Sequence, residues 1–522
     1  MIRMTGTRPG AEIHSTPSAR TLTWLSLLLA TALLTGCAAA TGGGTDGLDA
    51  PPAGSADPPP AAATNTAPAA IAGADMTVEL PTDSAALTGS ATDDGLPGSL
   101  VTYKWELVNG PAGPGNSPGV TLADPNAAAT SVRFAGGVGD YVLRFSASDG
   151  QLTGASTLHV TVKSNPYLYP APPGGGSSGW TTAPPADEHL DVAKLNEARD
   201  YSLAAGGTSD SEAGVIIRHG RLVYSWGNLF QRFEMKSTTK SMGGLALLLA
   251  LDEGKLALND KVAPKLPVFG TDPAVDTTAV TNGSLADISV LQLATHTAGF
   301  SKSDEKALAL LYAPGSTWSY SDQGLNWLAD VLTQTYSQDL SALLFAKIYG
   351  ALGIRPSLDL VWRDNAFRST TLSVNGVPVA RRELASGIRA DVDAMARVGL
   401  LMLRRGVWRD QLLLSNAVVD KVHQPPAEIK SAVNINPTGF PGATTNYGIL
   451  WWTNATGQMA GVPKDAYWAW GLHETFIIVV PSLDLVIARA GDHAWHPTSE
   501  EWNADYAVLE PFLTPIVQAA SD

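Results

Sequence analysis

The chain has 522 residues, enough for about two or three domains. Apolar residues make up 44% and charged residues 16%, a globular and lightly charged composition. The formal net charge is −15 and no basic run exceeds a pair such as Arg404-Arg405, which argues against nucleic acid as a partner, since that binding rests on clustered Lys and Arg.

The N-terminus carries Arg3, Arg8 and Arg20, then the apolar stretch "TLTWLSLLLATALLTGC", too short and too one-sided for a spanning helix. It closes on Leu34-Thr35-Gly36-Cys37 and resembles a bacterial lipoprotein signal. The resemblance implies cleavage before Cys37 and lipidation of its thiol. The product is then a secreted lipoprotein of the cell envelope, held to a membrane by its lipid. Ala38 leans toward the outer membrane or cell surface. Cys37 is the single cysteine, so no thiol remains for a disulfide or a Cys-ligated metal.

Residues 38–67 are rich in Ala, Gly, Pro and Asp, cannot bury a core, and read as a linker. Residues 68–163 read as all-β. The segments "MTVEL", "AALTGSATD", "VTYKWELV", "ATSVRFA", "DYVLRFSASD" and "STLHVTV" alternate and are separated by turn residues, which predicts a sandwich. Asp93, Asp94 and Asp149 are read as turn formers rather than calcium ligands. Trp105 in mid-strand and "GDYVLRFSASDGQL" make this segment resemble PKD-like and other immunoglobulin-like modules, with the expected role of a spacer or weak ligand binder. A second linker, rich in Pro and Gly, covers 164–189. Its Gly175-Gly176-Ser177-Ser178-Gly179 fits G-x-S-x-G only on paper, because a nucleophile elbow needs a strand before it and a helix after it.

Residues 190–522 mix helices and strands. The pattern predicts a helix over 192–205 and a hairpin turning at His219-Gly220. Long helical stretches follow, then a late hairpin turning at Pro481-Ser482 and a terminal helix over about 500–519 despite Pro511 and Pro515. Strands at both ends with helices between predict one antiparallel sheet built from the two termini, with a helical insert.

Chemistry concentrates at "FEMKSTTKSM". Ser237 and Lys240 stand three apart, on one helix face, at the start of the apolar run "MGGLALLLALDEGKL". A serine in the first turn sits at the positive end of the helix dipole, and a lysine desolvated by the apolar helix is pushed toward the neutral amine that can take the serine proton. The same spacing at Ser303-Asp304-Glu305-Lys306 lacks an apolar helix directly after it. Tyr320-Ser321-Asp322 sits just before an amphipathic stretch, and a tyrosine near a lysine can relay protons as phenol or phenolate.

With "SVLQLATHTAGF", "APGSTWSYSDQGLNWLADVL", "ASGIRADVDAMARVGLLMLRRGVW" and "AWGLHETFIIVVPSLDLVIARAG", these stretches resemble, in order, the serine β-lactamase-like hydrolases: class C β-lactamases, penicillin-binding DD-peptidases, family VIII esterases and 6-aminohexanoate-dimer hydrolases. The resemblance covers most of 190–522. It implies an α/β (α+β) hydrolase domain after the immunoglobulin-like sandwich, a nucleophile at Ser237, a base at Lys240, a relay at Tyr320 and an acyl-enzyme. The oxyanion hole would be the N–H of Ser237 plus one from Gly471, Leu472 or His473. Two departures stand out. Asp322 replaces the usual Asn of the second motif, and an ionised Asp only accepts hydrogen bonds; it can steady Lys240 instead, or point away. Ala469-Trp470-Gly471 replaces the usual Lys-Thr-Gly, so no lysine stands there for a lactam carboxylate; Arg389 is the other candidate cation for it.

These departures point to a small ester or amide substrate, with a cell-wall peptide in the same class. The alternatives are β-lactamase or DD-peptidase activity, or a catalytically silent surface binder. No cofactor is expected. His493 and His496 lack a third placed ligand and imply no metal. His296 is read as structural. Trp318, Trp451, Trp452, Trp468 and Trp470 are expected near the cleft.

Overall fold

The computed structural model describes residues 63–521, apart from 99, 114–116, 205–210, 270–283, 301, 303–309 and 496–505. Cys37, the Ser303–Lys306 spacing, His496 and the start of the predicted terminal helix lie outside the described residues.

The first described domain is a β-sandwich. Its strands are β1 (Ala69–Ile71), β2 (Met76–Glu79), β3 (Ser84–Thr88), β4 (Ser90–Thr92), β5 (Thr102–Asn109), β6 (Thr121–Leu122), β7 (Ala129–Arg133), β8 (Gly139–Ser148) and β9 (Thr153–Lys163). One sheet runs β2-β9-β8-β5 and the other β3-β7-β6, with β1 paired to β4. Alternate residues of β8, Tyr141, Leu143, Phe145 and Ala147, are fully buried, as a two-residue period requires. The stretch "AALTGSATD", which reads as one strand, forms two. It breaks at Gly89, where a Cβ would stand 2.5 Å from the Phe145 ring; the chain crosses a core side chain there and changes sheets.

The second domain is built on a six-stranded antiparallel sheet. After helix α1 (Val192–Ala204), β10 (Glu212–Arg218) and β11 (Arg221–Trp226) form the expected hairpin at His219 and Gly220, both with positive φ. The late strands are β12 (Trp452–Thr453), β13 (Tyr467–Gly471), β14 (Thr475–Val480) and β15 (Leu485–Gly491), and the sheet order is β11-β10-β15-β14-β13-β12. The first and last parts of the domain thus meet at β10 and β15, as predicted. The central strands are buried along their whole length because both faces are covered. Ile216, Ile478 and Ile487 face one core with α1 and the terminal helix Tyr506–Ala519. Val215, Ile477 and Val486 face the other, with the helices Thr238–Asp252 and Val392–Leu403. The terminal helix tolerates Pro511 and Pro515 because Phe512, Leu513 and Ile516 are fully buried, so packing offsets two lost backbone donors.

The two domains share a core. The hairpin Val407–Trp408/Gln411–Leu412 buries Val407 and Leu412 among the sandwich residues Val132, Phe134 and Tyr141. Val138 N–H donates to Asp410 O at 3.3 Å, and a Cβ on Gly137 (φ 74°) would stand 2.7 Å from that oxygen. Arg133 grips Asp252 at 2.6 and 3.3 Å. The segment read as the second linker is also tied down. Trp180 Nε1 donates to Asp393 at 2.7 Å, and Arg397 donates to the carbonyls of Ala171 and Ser178.

Candidate active site

Residues 236–240 turn sharply from the short strand Phe233–Glu234 into helix α2 (Thr238–Asp252). Lys236 takes φ 49°, a left-handed conformation that costs a non-glycine residue about 1 kcal/mol or more and concentrates where function requires it. Two neighbours pin the turn. Thr475 Oγ1 donates to Met235 O, and Thr238 Oγ1 to Thr475 O, both at 2.7 Å; Met235 N–H donates to Ile388 O at 2.9 Å. The half-buried Ser237 therefore stands at the head of a helix whose start is fixed on both sides, with its side chain making no capping bond.

Lys240 is 2% exposed, its stem lying along the apolar α2. Its Nζ stands 3.0 Å from Ser237 Oγ, 2.8 Å from Ala385 O and 2.7 Å from Asp322 Oδ1. As a neutral amine it would keep a hydrogen for Ala385 O and turn its lone pair to Ser237, with the Asp322 carboxylate beside it. Asp322 opens helix α3 (Asp322–Tyr336), which Ser321 caps by accepting from Gly324 N–H at 3.1 Å.

Tyr320 hydrogen-bonds the Ser237 side chain. Its ring centre is 4.8 Å from Lys240 Nζ and lies in a stack between His296 at 4.4 Å and Phe440 at 5.0 Å. Burial first, and then the Asp322 charge, push the phenol well above its ordinary range. His296 turns out to sit under the site. Its Nδ1 accepts from Ser321 N–H at 3.1 Å, and burial, then Lys240, hold the ring well below the usual histidine range, so the accepting nitrogen stays free of a proton.

The end of β13 closes the opposite side. A Cβ on Gly471 would stand 2.3 Å from Thr475 Oγ1, 2.4 Å from Met235 O and 2.9 Å from Ser237 N, so only glycine fits against the serine amide. Leu472 and His473 follow in a half-buried turn, with His473 at φ 64°. Burial, followed by Lys236, lowers the His473 ring below its usual range. The fully buried Arg489, paired with Glu212 at 2.5 Å, donates to the carbonyls of His473 and Glu474 and holds the turn from behind.

Ser237, Lys240, Tyr320, Asp322 and Gly471 therefore converge within hydrogen-bonding or packing contact, with Leu472 and His473 next in the chain. Of the five tryptophans, Trp318 lies 6.1 Å from Tyr320 and packs on Trp452, itself 6.4 Å from Phe440, while Trp451, Trp468 and Trp470 are buried core residues. No group of three metal-ligating side chains occurs among the described residues; His493 instead lies 3.4 Å from Glu212. Asp94 and Asp149 accept local backbone N–H groups, as turn formers do. Sequence reasoning missed the Ala385 carbonyl, which only the stretch "ASGIRADV" signalled. It also missed Arg489 and Glu212, which carry no local pattern.

Residues 207–491 match the sequence model of the Beta-lactamase family, and residues 72–162 match that of a PKD domain. Among solved structures the chain is similar to a beta-lactamase from Mycobacterium bovis, at 17% identity and TM-score 0.42, covering 62% of this chain and 98% of that one. It is similar to EstCE1, a hydrolase with promiscuous acyltransferase activity, at 16% identity and TM-score 0.46, covering 64% and 99%. It is also similar to unliganded simvastatin synthase from Aspergillus terreus, at 18% identity and TM-score 0.45, covering 62% and 98%.

Proposed function

The chain belongs to the Beta-lactamase family of serine hydrolases, and we propose that it cleaves ester or amide bonds of small substrates through an acyl-enzyme on Ser237, with Lys240 as base and Tyr320 as proton relay. The observation that carries the reading is the approach of Lys240 Nζ to Ser237 Oγ at 3.0 Å, with the Tyr320 phenol bonded to the same serine. Ser237 Oγ bonds to the substrate carbonyl carbon as its proton passes to Lys240. The oxyanion is met by Ser237 N–H and by an amide from the turn Gly471-Leu472-His473. The carbonyl carbon then breaks from its oxygen or nitrogen, and the leaving atom takes the Lys240 proton through Tyr320. Water releases the acyl group by the reverse path. Because burial keeps Tyr320 a phenol, it passes a proton along rather than storing negative charge, which leaves the basic role to Lys240.

The site lacks two contacts that a β-lactam would use, an Asn amide at 322 and a lysine at 469–471. A charged hydrogen bond contributes about 1.5–3 kcal/mol, roughly ten- to a hundredfold in turnover. A short uncharged ester needs neither contact. We therefore expect clear cleavage of p-nitrophenyl butyrate and weak or absent cleavage of a chromogenic cephalosporin, both lost in Ser237→Ala. Efficient cephalosporin turnover with poor ester turnover would overturn the substrate assignment.

The same proposal places the enzyme at the cell envelope through lipid on Cys37, where a cell-wall peptide amide is within reach as substrate. No helix among the described residues is long and apolar enough to cross a membrane. Cys37→Ser should move the protein from the membrane fraction to the soluble one; unchanged fractionation would remove the anchor.

A further inference from the structure

Asp322 brings a negative charge to the reacting groups, and the late strand offers no cation to answer it. Its Oδ1 is 2.7 Å from Lys240 Nζ, which is 3.0 Å from Ser237 Oγ. The carboxylate oxygen therefore lies within about 6 Å of the attacking hydroxyl, close enough for a substrate charge to feel it strongly in a partly desolvated site. The Asp322 side chain is 21% exposed against 3% for Lys240, while its Oδ1 is buried against the amine. While Lys240 is an ammonium, the pair is neutral. The state that accepts the Ser237 proton is the amine, and in that state Asp322 stands uncompensated.

We propose that Asp322 acts as a charge filter, admitting acyl groups that are neutral or cationic and rejecting those that carry a carboxylate. This rests on the hydrolase reading above and extends it to the substrate class. Residues 469–471, where the family usually places a cation, are Ala, Trp and Gly. Lys236 is paired with Glu234, and His296 and His473 are both held below their usual range by burial. Among the described residues, the charges that pull the other way are Arg389, exposed on the strand Ile388–Ala390, and Lys302, exposed with its Nζ 5.8 Å from the Tyr320 ring centre. Both are exposed to solvent, where salt screens them; the Asp322 side chain is less exposed, at 21%.

The experiment compares three p-nitrophenyl esters with one leaving group: a neutral butyrate, a hemisuccinate bearing a carboxylate, and a 4-(trimethylammonio)butyrate. Wild type should turn over the anionic ester about tenfold less efficiently in kcat/KM than the neutral one, and the cationic ester at least as well as the neutral one. Asp322→Asn should bring all three within about threefold of each other, whereas Asp322→Glu should keep the wild-type order. In wild type the anionic-to-neutral ratio should rise as salt goes from about 20 mM to about 0.5 M. That readout decides the matter alone if Asp322→Asn does not fold. Equal rates for the three esters in wild type, a preference for the anionic ester, or an unchanged order in Asp322→Asn would overturn the filter while leaving the hydrolase reading intact. No cleavage of any of them, with no labelling of Ser237 by a fluorophosphonate, would overturn both.

Discussion

The two ends of helix α2 both hold charge away from water, yet they do opposite work. At the C-terminal end, Asp252 accepts from Arg133 at 2.6 and 3.3 Å, from Ser415 Oγ at 2.5 Å and from Ser415 N–H at 3.1 Å. Every partner is a donor that keeps its proton, so the pair fastens the sandwich domain to the helix and nothing more. At the N-terminal end, Lys240 is buried more deeply, but one of its partners is a hydroxyl that can lose its proton, and that hydroxyl lies half-open beside a glycine that leaves its amide uncovered. Burial and pairing alone do not mark a reactive site. On the proposed reading, what marks it is a buried amine that can take the proton of a neighbouring hydroxyl whose oxygen faces an open side.

Removing the reactive partners should separate the two ends by activity. Ser237→Ala should abolish turnover, and Lys240→Ala should lower kcat by about 10³-fold, the range for a general base; steady-state ester hydrolysis measures both. Gly471→Ala should cost about a hundredfold, because the new methyl would crowd Ser237 N and disturb an oxyanion donor. Tyr320→Phe, which keeps the ring stack and removes only the hydroxyl, should also lower kcat by about a hundredfold, with little change in melting temperature. Arg133→Ala, at the other end, should leave KM and kcat per folded molecule unchanged and cost about 1–3 kcal/mol of stability in denaturant unfolding, since it strands a largely buried carboxylate. A matching loss of kcat there would show that the sandwich domain controls the site rather than merely fastening to it.

The smallest effect concerns His296. Its folded-state pKa lies well below 6.5, so below about pH 6.5 the unfolded chain binds a proton that the native state refuses. Stability from this group is therefore full above pH 6.5 and is lost as pH falls below it, by at most about 1.4 kcal/mol per pH unit. His296→Asn should flatten the acid side of the stability curve by that amount. His423, His473 and His493 are depressed too and keep part of the slope.

Much of the fold was legible because its signals are local. The alternation in β8 and the turn at His219-Gly220 each follow from a few neighbouring residues. The break at Gly89 was not, since it depends on a ring that arrives 56 positions later in the chain, at Phe145. The same holds at the site. Ser237 and Lys240 announce themselves by spacing and by the apolar helix behind them. The support under Tyr320 comes from His296 and Phe440, and the support behind the His473 turn from Arg489 and Glu212. Those residues are distant in sequence and ordinary in type, so only packing identifies them. The docking of the sandwich was hidden for a similar reason: nothing local to Val407 and Leu412 says that they are buried in the other domain's core.

The central claim is a covalent intermediate on Ser237. Rapid acid quenching of wild type turning over p-nitrophenyl butyrate, followed by peptide mass spectrometry, should find the butyryl group on the peptide that contains Ser237. The adduct should persist longer when Tyr320→Phe slows its release, and it should be absent from Ser237→Ala. A wild-type enzyme that turns over the ester with no adduct at Ser237, or a Ser237→Ala variant that is acylated at the same rate elsewhere, would contradict the account.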